Sequence, residues 1–84
     1  MTWIEQLAEM GSGERNVYLS HDPKLGYCTS VFEGEEGVKG WLAGPTLAST
    51  FEGSVAQAHT MFQRTMRNFY PDDPLVKQWD GEAG

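Results

Sequence analysis

An apolar stripe in the second half of this 84-residue chain constrains its fold more than any other feature. Apolar residues recur there at steps of three, four, four and three, as on one face of a helix: Val55, Ala58, Phe62, Met66 and Phe69. Polar residues occupy the opposite side. Ser54 and Gln57 form a capping-box pattern at the start, and Tyr70 and Pro71 stop the helix. The sequence therefore predicts a long amphipathic helix with one face buried against a sheet.

The first half of the chain contains alternating patterns that predict a β-hairpin. From Arg15 the period is two, with Val17 and Leu19 on one face. The segment from His21 to Gly26 is a polar turn with a proline at a corner position. The pattern returns from Tyr27 to Phe32, and we expect the two strands to pair in an antiparallel manner.

A third strand is predicted from Val38 to Ala43, after an interruption at Glu33–Gly37. Gly44 and Pro45 are expected to end this strand, because proline cannot donate to a strand ladder. The segment Leu47–Phe51 is extended in character and is either a fourth strand or a connector. A three-stranded, possibly four-stranded, antiparallel meander is the simplest arrangement.

Short helical segments are expected at both ends. Thr2 and Glu5 have the spacing of a capping box, which predicts a helix from Trp3 to Met10. Asp73 followed by Pro74 predicts a last helical turn, pinned to the body by three apolar residues: Leu75, Val76 and Trp79. The tail Gly81–Gly84 is expected to fray. We therefore predict one α+β domain over residues 1–84.

Composition limits the possible functions. Six basic residues against twelve acidic ones give a net charge of −6, which argues against direct binding of a phosphate backbone. No stretch is long and apolar enough to predict a membrane span, so we expect a soluble cytoplasmic protein, monomeric or homodimeric. The lone cysteine, Cys28, excludes an internal disulfide, and we expect it to be a buried structural residue.

The sequence offers little catalytic chemistry. Ser20, His21 and Asp22 are neighbours in a turn, so their side chains diverge and do not form a hydrolytic triad. His59 borders the apolar helix stripe and is expected to be structural, since its own helix offers no acidic partner. We predict no catalytic residue, metal site or cofactor. A small enzyme that assembles His21, Asp22 and His59 is the alternative.

The clearest surface feature is acidic charge. Acidic residues cluster at the predicted hairpin tip and near the C-terminus: Glu33, Glu35, Glu36, Asp72, Asp73, Asp80 and Glu82. Such a cluster steers a protein towards a basic partner, although a charge of this size also serves solubility alone. The predicted partner-binding residues are Glu33, Glu35, Glu36, Asp72, Asp73 and Trp41. The basic pair Arg64 and Arg67 is the alternative contact, suited to an acidic partner.

The order of two paired strands, a third strand and an amphipathic helix resembles the HicB-type antitoxin fold. Gly26 and Tyr27 resemble the step that opens the second strand in that family, and Thr50–Ala58 resembles its helix-capping segment. This resemblance implies an antitoxin-type interaction domain.

In size, charge and lack of catalytic motifs the chain also resembles the small acidic proteins with which phages inhibit host enzymes, including anti-CRISPR proteins. That resemblance implies an inhibitor that occupies a basic, nucleic-acid-handling surface of a partner protein. We take this as the expected function, and the antitoxin-type domain and the small enzyme remain as alternatives.

Overall fold

A computed structural model describes residues 1–34 and 40–83. Its elements are, in chain order, α1 (Trp3–Met10), β1 (Arg15–Asp22), β2 (Gly26–Glu33), β3 (Trp41–Ala48), α2 (Phe51–Phe69) and α3 (Pro74–Ala83). The strands form one antiparallel sheet in the order β1-β2-β3. The α+β prediction and the long helix on a three-stranded sheet are confirmed. Within the described ranges, no helix is long and apolar enough to cross a bilayer.

The helices of the described residues lie on one side of the sheet: α2 packs on β2 and β3, α1 contacts β1 and α2, and α3 contacts α2. Val31 at the centre of β2 lies opposite Val17 of β1 and Ala43 of β3, and these residues face the helices. The core joins them to apolar side chains of every helix: Met10, Val55, Ala58, Phe62, Met66, Val76 and Trp79. Burial of this apolar surface is the main force that holds the two layers together.

The predicted helix stripe is buried over most of its length but not at its end. Val55, Ala58, Phe62 and Met66 are buried as expected. Phe69 was expected to join them, and this is wrong, because 74% of its surface is exposed. It is the last residue of α2, and Met66, one turn earlier, is the last buried residue of the helix.

The other face of the sheet carries side chains that no helix covers among the described residues. Strand alternation and register place the following residues on it: Tyr18, Ser20, Cys28, Ser30, Phe32, Trp41 and Leu47. We call this surface the open face. Phe32 is buried there between two aromatic rings, with centroid distances of 5.0 Å to Tyr18 and 4.0 Å to Trp41.

Strand β3 differs from its prediction. Gly44 and Pro45 were expected to end it, but the strand continues through them to Ala48. Proline is tolerated because β3 is an edge strand and its outer side needs no hydrogen-bond donor. Gly44 has a φ of 83°, and a Cβ there would collide with the Thr29 carbonyl.

The boundaries of the predicted third and fourth strands change accordingly. Leu47 and Ala48 belong to β3, so the segment Leu47–Phe51 forms no fourth strand, and Phe51 already lies in α2. The predicted start of β3, at Val38, lies outside the described residues.

Local capping determines where the helices begin. At α1 the predicted capping box is confirmed, because Glu5 N donates to Thr2 Oγ1 and Thr2 N donates to Glu5 Oε1. Helix α2 begins one turn earlier than expected, with Thr50 as its cap. Asp73 caps α3, as predicted, but α3 is a ten-residue helix rather than a single turn. Val76 and Trp79 hold it to the core.

Ser54 has a different role from the predicted cap. Its hydroxyl lies 2.7 Å from Thr29 Oγ1, and its carbonyl accepts a hydrogen bond from Thr46 Oγ1, also at 2.7 Å. All three residues are buried. This polar contact fixes the first turn of α2 against both β2 and β3, because a buried hydroxyl without a partner would be costly.

Candidate functional site

Acidic residues from distant parts of the chain meet at one end of the molecule. Glu33 ends β2, and its Oε2 accepts a hydrogen bond of 2.9 Å from the hydroxyl of Tyr70, which follows α2. Asp73 N donates to the Tyr70 carbonyl, so the start of α3 lies at the same place. Asp72 is exposed beside it. We call Glu33, Tyr70, Asp72 and Asp73 the acidic end.

The hydrogen bond at the acidic end favours the protonated form of Tyr70. The Glu33 carboxylate accepts the phenolic hydrogen and adds negative charge beside it, and both effects raise the pKa of Tyr70. The phenol therefore stays protonated at neutral pH. Tyr70 is a donor that orients Glu33, and it is a poor candidate for a general base.

A cleft of about 230 Å³ opens at the acidic end, lined by Glu33, Tyr70 and Asp73 together with Arg15. Arg15 is already engaged, because its guanidinium donates to the carbonyl oxygens of Met10 and Glu9. The cleft is smaller than the usual small-molecule pocket. In the described part of the chain, no group of three or more His, Cys, Asp and Glu residues is placed to hold a metal ion.

Trp41, the predicted aromatic contact, lies on the open face near the acidic end. Its side chain is 54% exposed and stacks on Phe32, the residue before Glu33. Tyr18 lies on the other side of Phe32 and is 43% exposed. Exposed aromatic side chains held rigidly by neighbours are typical of binding surfaces, because little side-chain entropy is lost on contact.

The other predicted contact residues are distributed differently. Glu35 and Glu36 lie outside the described residues. Asp73 is partly committed to structure, since its Oδ1 accepts a hydrogen bond from Leu75 N and caps α3. The acidic end therefore contains three of the predicted contact residues, and Trp41 lies beside it.

The alternative basic pair lies on α2. Arg64 is exposed. Arg67 lies over the ring of Trp79, 5.2 Å from its centroid, and its Nε is 3.6 Å from an Asp80 carboxylate oxygen. Of the pair, Arg67 is the one held by these contacts within the chain.

His59 has an acidic partner that the sequence did not reveal. Its Nε2 lies 2.8 Å from Glu9 Oε1, and the indole nitrogen of Trp79 donates to the same oxygen at 2.9 Å. Periodicity within α2 offered no acid, because Glu9 comes from α1, 50 residues earlier. Glu9, His59 and Trp79 thus join α1, α2 and α3 in a largely buried cluster, which supports the structural interpretation of His59.

The enzyme alternative requires His21, Asp22 and His59 to meet, but each has separate contacts in the structure. His21 is exposed and stacks on Tyr27, with a centroid distance of 4.4 Å. Asp22 accepts hydrogen bonds from Lys24 N and Leu25 N in the turn. His59 is held by Glu9, which also contacts Arg15 at the start of β1. His21 lies six strand positions beyond Arg15, a span of about 20 Å, so His21 and Asp22 are far from the Glu9–His59 pair.

Cys28 is less enclosed than expected. It lies on the open face, opposite Ser20 and Leu47, and is only half-buried. The expectation of a buried thiol is therefore wrong. Its position follows from β2 alternation, which directs even-numbered residues away from the helices.

Comparisons of the chain with protein-family models, with curated proteins and with solved structures found no match. The resemblances to HicB-type antitoxins and to phage inhibitors therefore rest on the sequence features described above.

Proposed function

We propose that this protein is an acidic protein-binding module that occupies a basic surface of a partner protein and thereby inhibits it. The partner surface is one that handles nucleic acid, because such surfaces carry clustered Lys and Arg residues that neutralise phosphates. The observation that carries the proposal is the juxtaposition of the acidic end with the exposed aromatic ring of Trp41.

The two features have complementary roles in this proposal. The acidic end, on a chain of net charge −6, accelerates encounter with a basic groove over a range of about 10 Å at physiological salt. Trp41 and Tyr18 then supply apolar contact area, which slows dissociation of the complex. Glu33 is already oriented by Tyr70, so it loses little freedom when a cation of the partner approaches.

The proposal is tested by capturing partners from a lysate and measuring their association kinetics. The acidic variant combines Glu33→Gln with Asp72→Asn, because the amide oxygen of the new glutamine still accepts a hydrogen bond from Tyr70 while the charge is lost. We expect slower association and a weaker dependence on salt for this variant. Trp41→Ala should instead raise the dissociation rate.

The matched control is Arg64→Gln combined with Arg67→Gln, which changes the same number of charges on α2. If this control abolishes binding while the acidic variant binds at the wild-type rate, the partner is acidic and the proposal is wrong. Far-UV circular dichroism of each variant verifies that folding is unchanged.

A further inference from the structure

The two edge strands of the sheet, β1 and β3, differ in how well they are protected against pairing with a further strand. Strand β3 contains Gly44 and Pro45, and its register to β2 shifts at two places. Strand β1 pairs with β2 in unbroken register from Arg15 to Asp22 and contains neither proline nor glycine. Natural sheets commonly block free edges with proline and bulges, and in the described sheet the β3 edge has them whereas the β1 edge does not.

The hydrogen-bond pattern shows which groups of β1 face outwards. Gly34 N donates to the Glu14 carbonyl, so even-numbered residues of this antiparallel pair exchange hydrogen bonds with β2. The N–H and C=O groups of the odd-numbered residues Val17, Leu19 and His21 then point away from the sheet. Among the described segments, none supplies a backbone hydrogen bond to these three residues.

We propose that a second copy of this chain pairs with β1 through these groups and forms a continuous six-stranded sheet. The two β1 strands run antiparallel about a two-fold axis at Leu19, so Leu19 lies opposite Leu19 of the second copy. This interface is isologous and closes as a dimer, because each edge is used once. It goes beyond the proposed partner binding and does not depend on it.

The register centred on Leu19 avoids charge repulsion between the two β1 strands. Val17 lies opposite His21 of the second copy, Tyr18 opposite Ser20, and Asn16 opposite Asp22, so no like charges meet. A register centred on Tyr18 would set Glu14 opposite Asp22, two carboxylates. Leu19 itself is 43% exposed and would be covered by its counterpart.

The two-fold axis stands perpendicular to the sheet, so the helices of both copies lie on the same side. On the other side the two open faces merge into one surface.

Sedimentation velocity of the wild-type protein and two proline variants tests the pairing. Leu19→Pro removes an outward N–H at the centre of the pairing without removing a β1–β2 hydrogen bond. Leu47→Pro is the matched control, since Leu47 has its N–H on the outer side of β3 by the same alternation and is similarly exposed at 48%. We expect Leu19→Pro to raise the dimer Kd by about tenfold or more, and Leu47→Pro to leave it unchanged.

A second pair of variants guards against a folding defect in the proline variants. Leu19→Lys sets two ammonium groups opposite each other and should also dissociate the dimer, whereas Leu47→Lys should not. In a Cys28→Ser background, added oxidised glutathione should link two Leu19→Cys chains by a disulfide, because directly opposite hydrogen-bonded residues have Cα atoms about 5.5 Å apart.

Several outcomes overturn the proposal. A wild-type protein that stays monomeric from micromolar to high micromolar concentration excludes the dimer. A dimer that Leu47→Pro or Leu47→Lys dissociates, while the Leu19 variants remain dimeric, uses another surface. Salt gives a further readout: two chains of −6 repel, so added salt should strengthen this dimer, opposite to its effect on an oppositely charged partner.

Discussion

One carboxylate oxygen, Glu9 Oε1, connects the three helices. It lies 2.8 Å from His59 Nε2 and accepts the indole hydrogen of Trp79 at 2.9 Å. His59 and Trp79 are buried, so water cannot readily replace Glu9 as their partner. A buried polar group adds little net stability when it is hydrogen-bonded, but it destabilises the fold strongly when it loses its partner. The packing of the helix layer therefore depends on this side chain more than its partly exposed position suggests.

Replacement of Glu9 by alanine should destabilise the protein by about 2 to 4 kcal/mol, because two buried nitrogen groups lose their partner. Glu9→Gln retains an oxygen acceptor and should cost clearly less. Chemical denaturation with both variants measures the difference. Equal losses for alanine and glutamine would mean that the hydrogen bonds contribute nothing beyond the contacts of the side-chain stem.

Asp22 organises the β1–β2 turn by accepting hydrogen bonds from Lys24 N and Leu25 N. These hydrogen bonds favour the ionised carboxylate and lower the pKa of Asp22 in the folded chain. The group therefore contributes stability above its unfolded pKa, and this contribution is lost as pH falls through its folded pKa.

Asp22→Asn keeps an acceptor in the turn and removes only the titration. We expect the variant to unfold at a lower temperature than the wild type at neutral pH, and the difference in Tm to vanish in acid. Asp72→Asn makes the same change of charge at an exposed position. If both variants show the same pH profile, the effect reflects net charge and not the turn.

At the scale of helices and strands, the sequence correctly predicted the features that depend on neighbouring residues. The capping box of α1, the β1–β2 hairpin and the buried stripe of α2 all depend on residues near in sequence. Strand β3 was misjudged because Pro45 is permitted only by its edge position, which is a property of the whole sheet. Phe69 was misjudged because a helical repeat shows which residues share a face, but not how far along the helix that face is buried.

Phe62 and Phe69 offer a matched test of that difference within one helix. Phe62 is fully buried and contacts Trp79 edge-on, whereas Phe69 is mostly exposed. Phe62→Ala should lower the free energy of unfolding by about 3 to 5 kcal/mol. Phe69→Ala should change it by less than about 0.5 kcal/mol. A large loss at Phe69 would show that its ring is covered in solution, for instance by another molecule.

At the scale of the whole molecule, the candidate surface depends on contacts that no sequence pattern could reveal. Tyr70 and Glu33 are 37 residues apart, and Trp79 and Glu9 are 70 apart. The sequence predicted an acidic surface that includes Glu33, Asp72 and Asp73, but it did not predict that these residues meet. Their meeting around Tyr70 follows from the path of the chain after α2, which tertiary packing determines.

The last helix should unfold together with the rest of the molecule, because its anchor belongs to the common core. Trp79 packs on Phe62 with a centroid distance of 5.9 Å, and its indole donates to Glu9. A variant with Trp3→Phe and Trp41→Phe leaves Trp79 as the sole indole, so its fluorescence reports on α3 alone. We expect the fluorescence and far-UV circular dichroism transitions in urea to coincide, as two-state unfolding requires. A fluorescence change at clearly lower urea would mean that α3 detaches first, and that the Glu9 and Phe62 contacts do not couple it to the sheet.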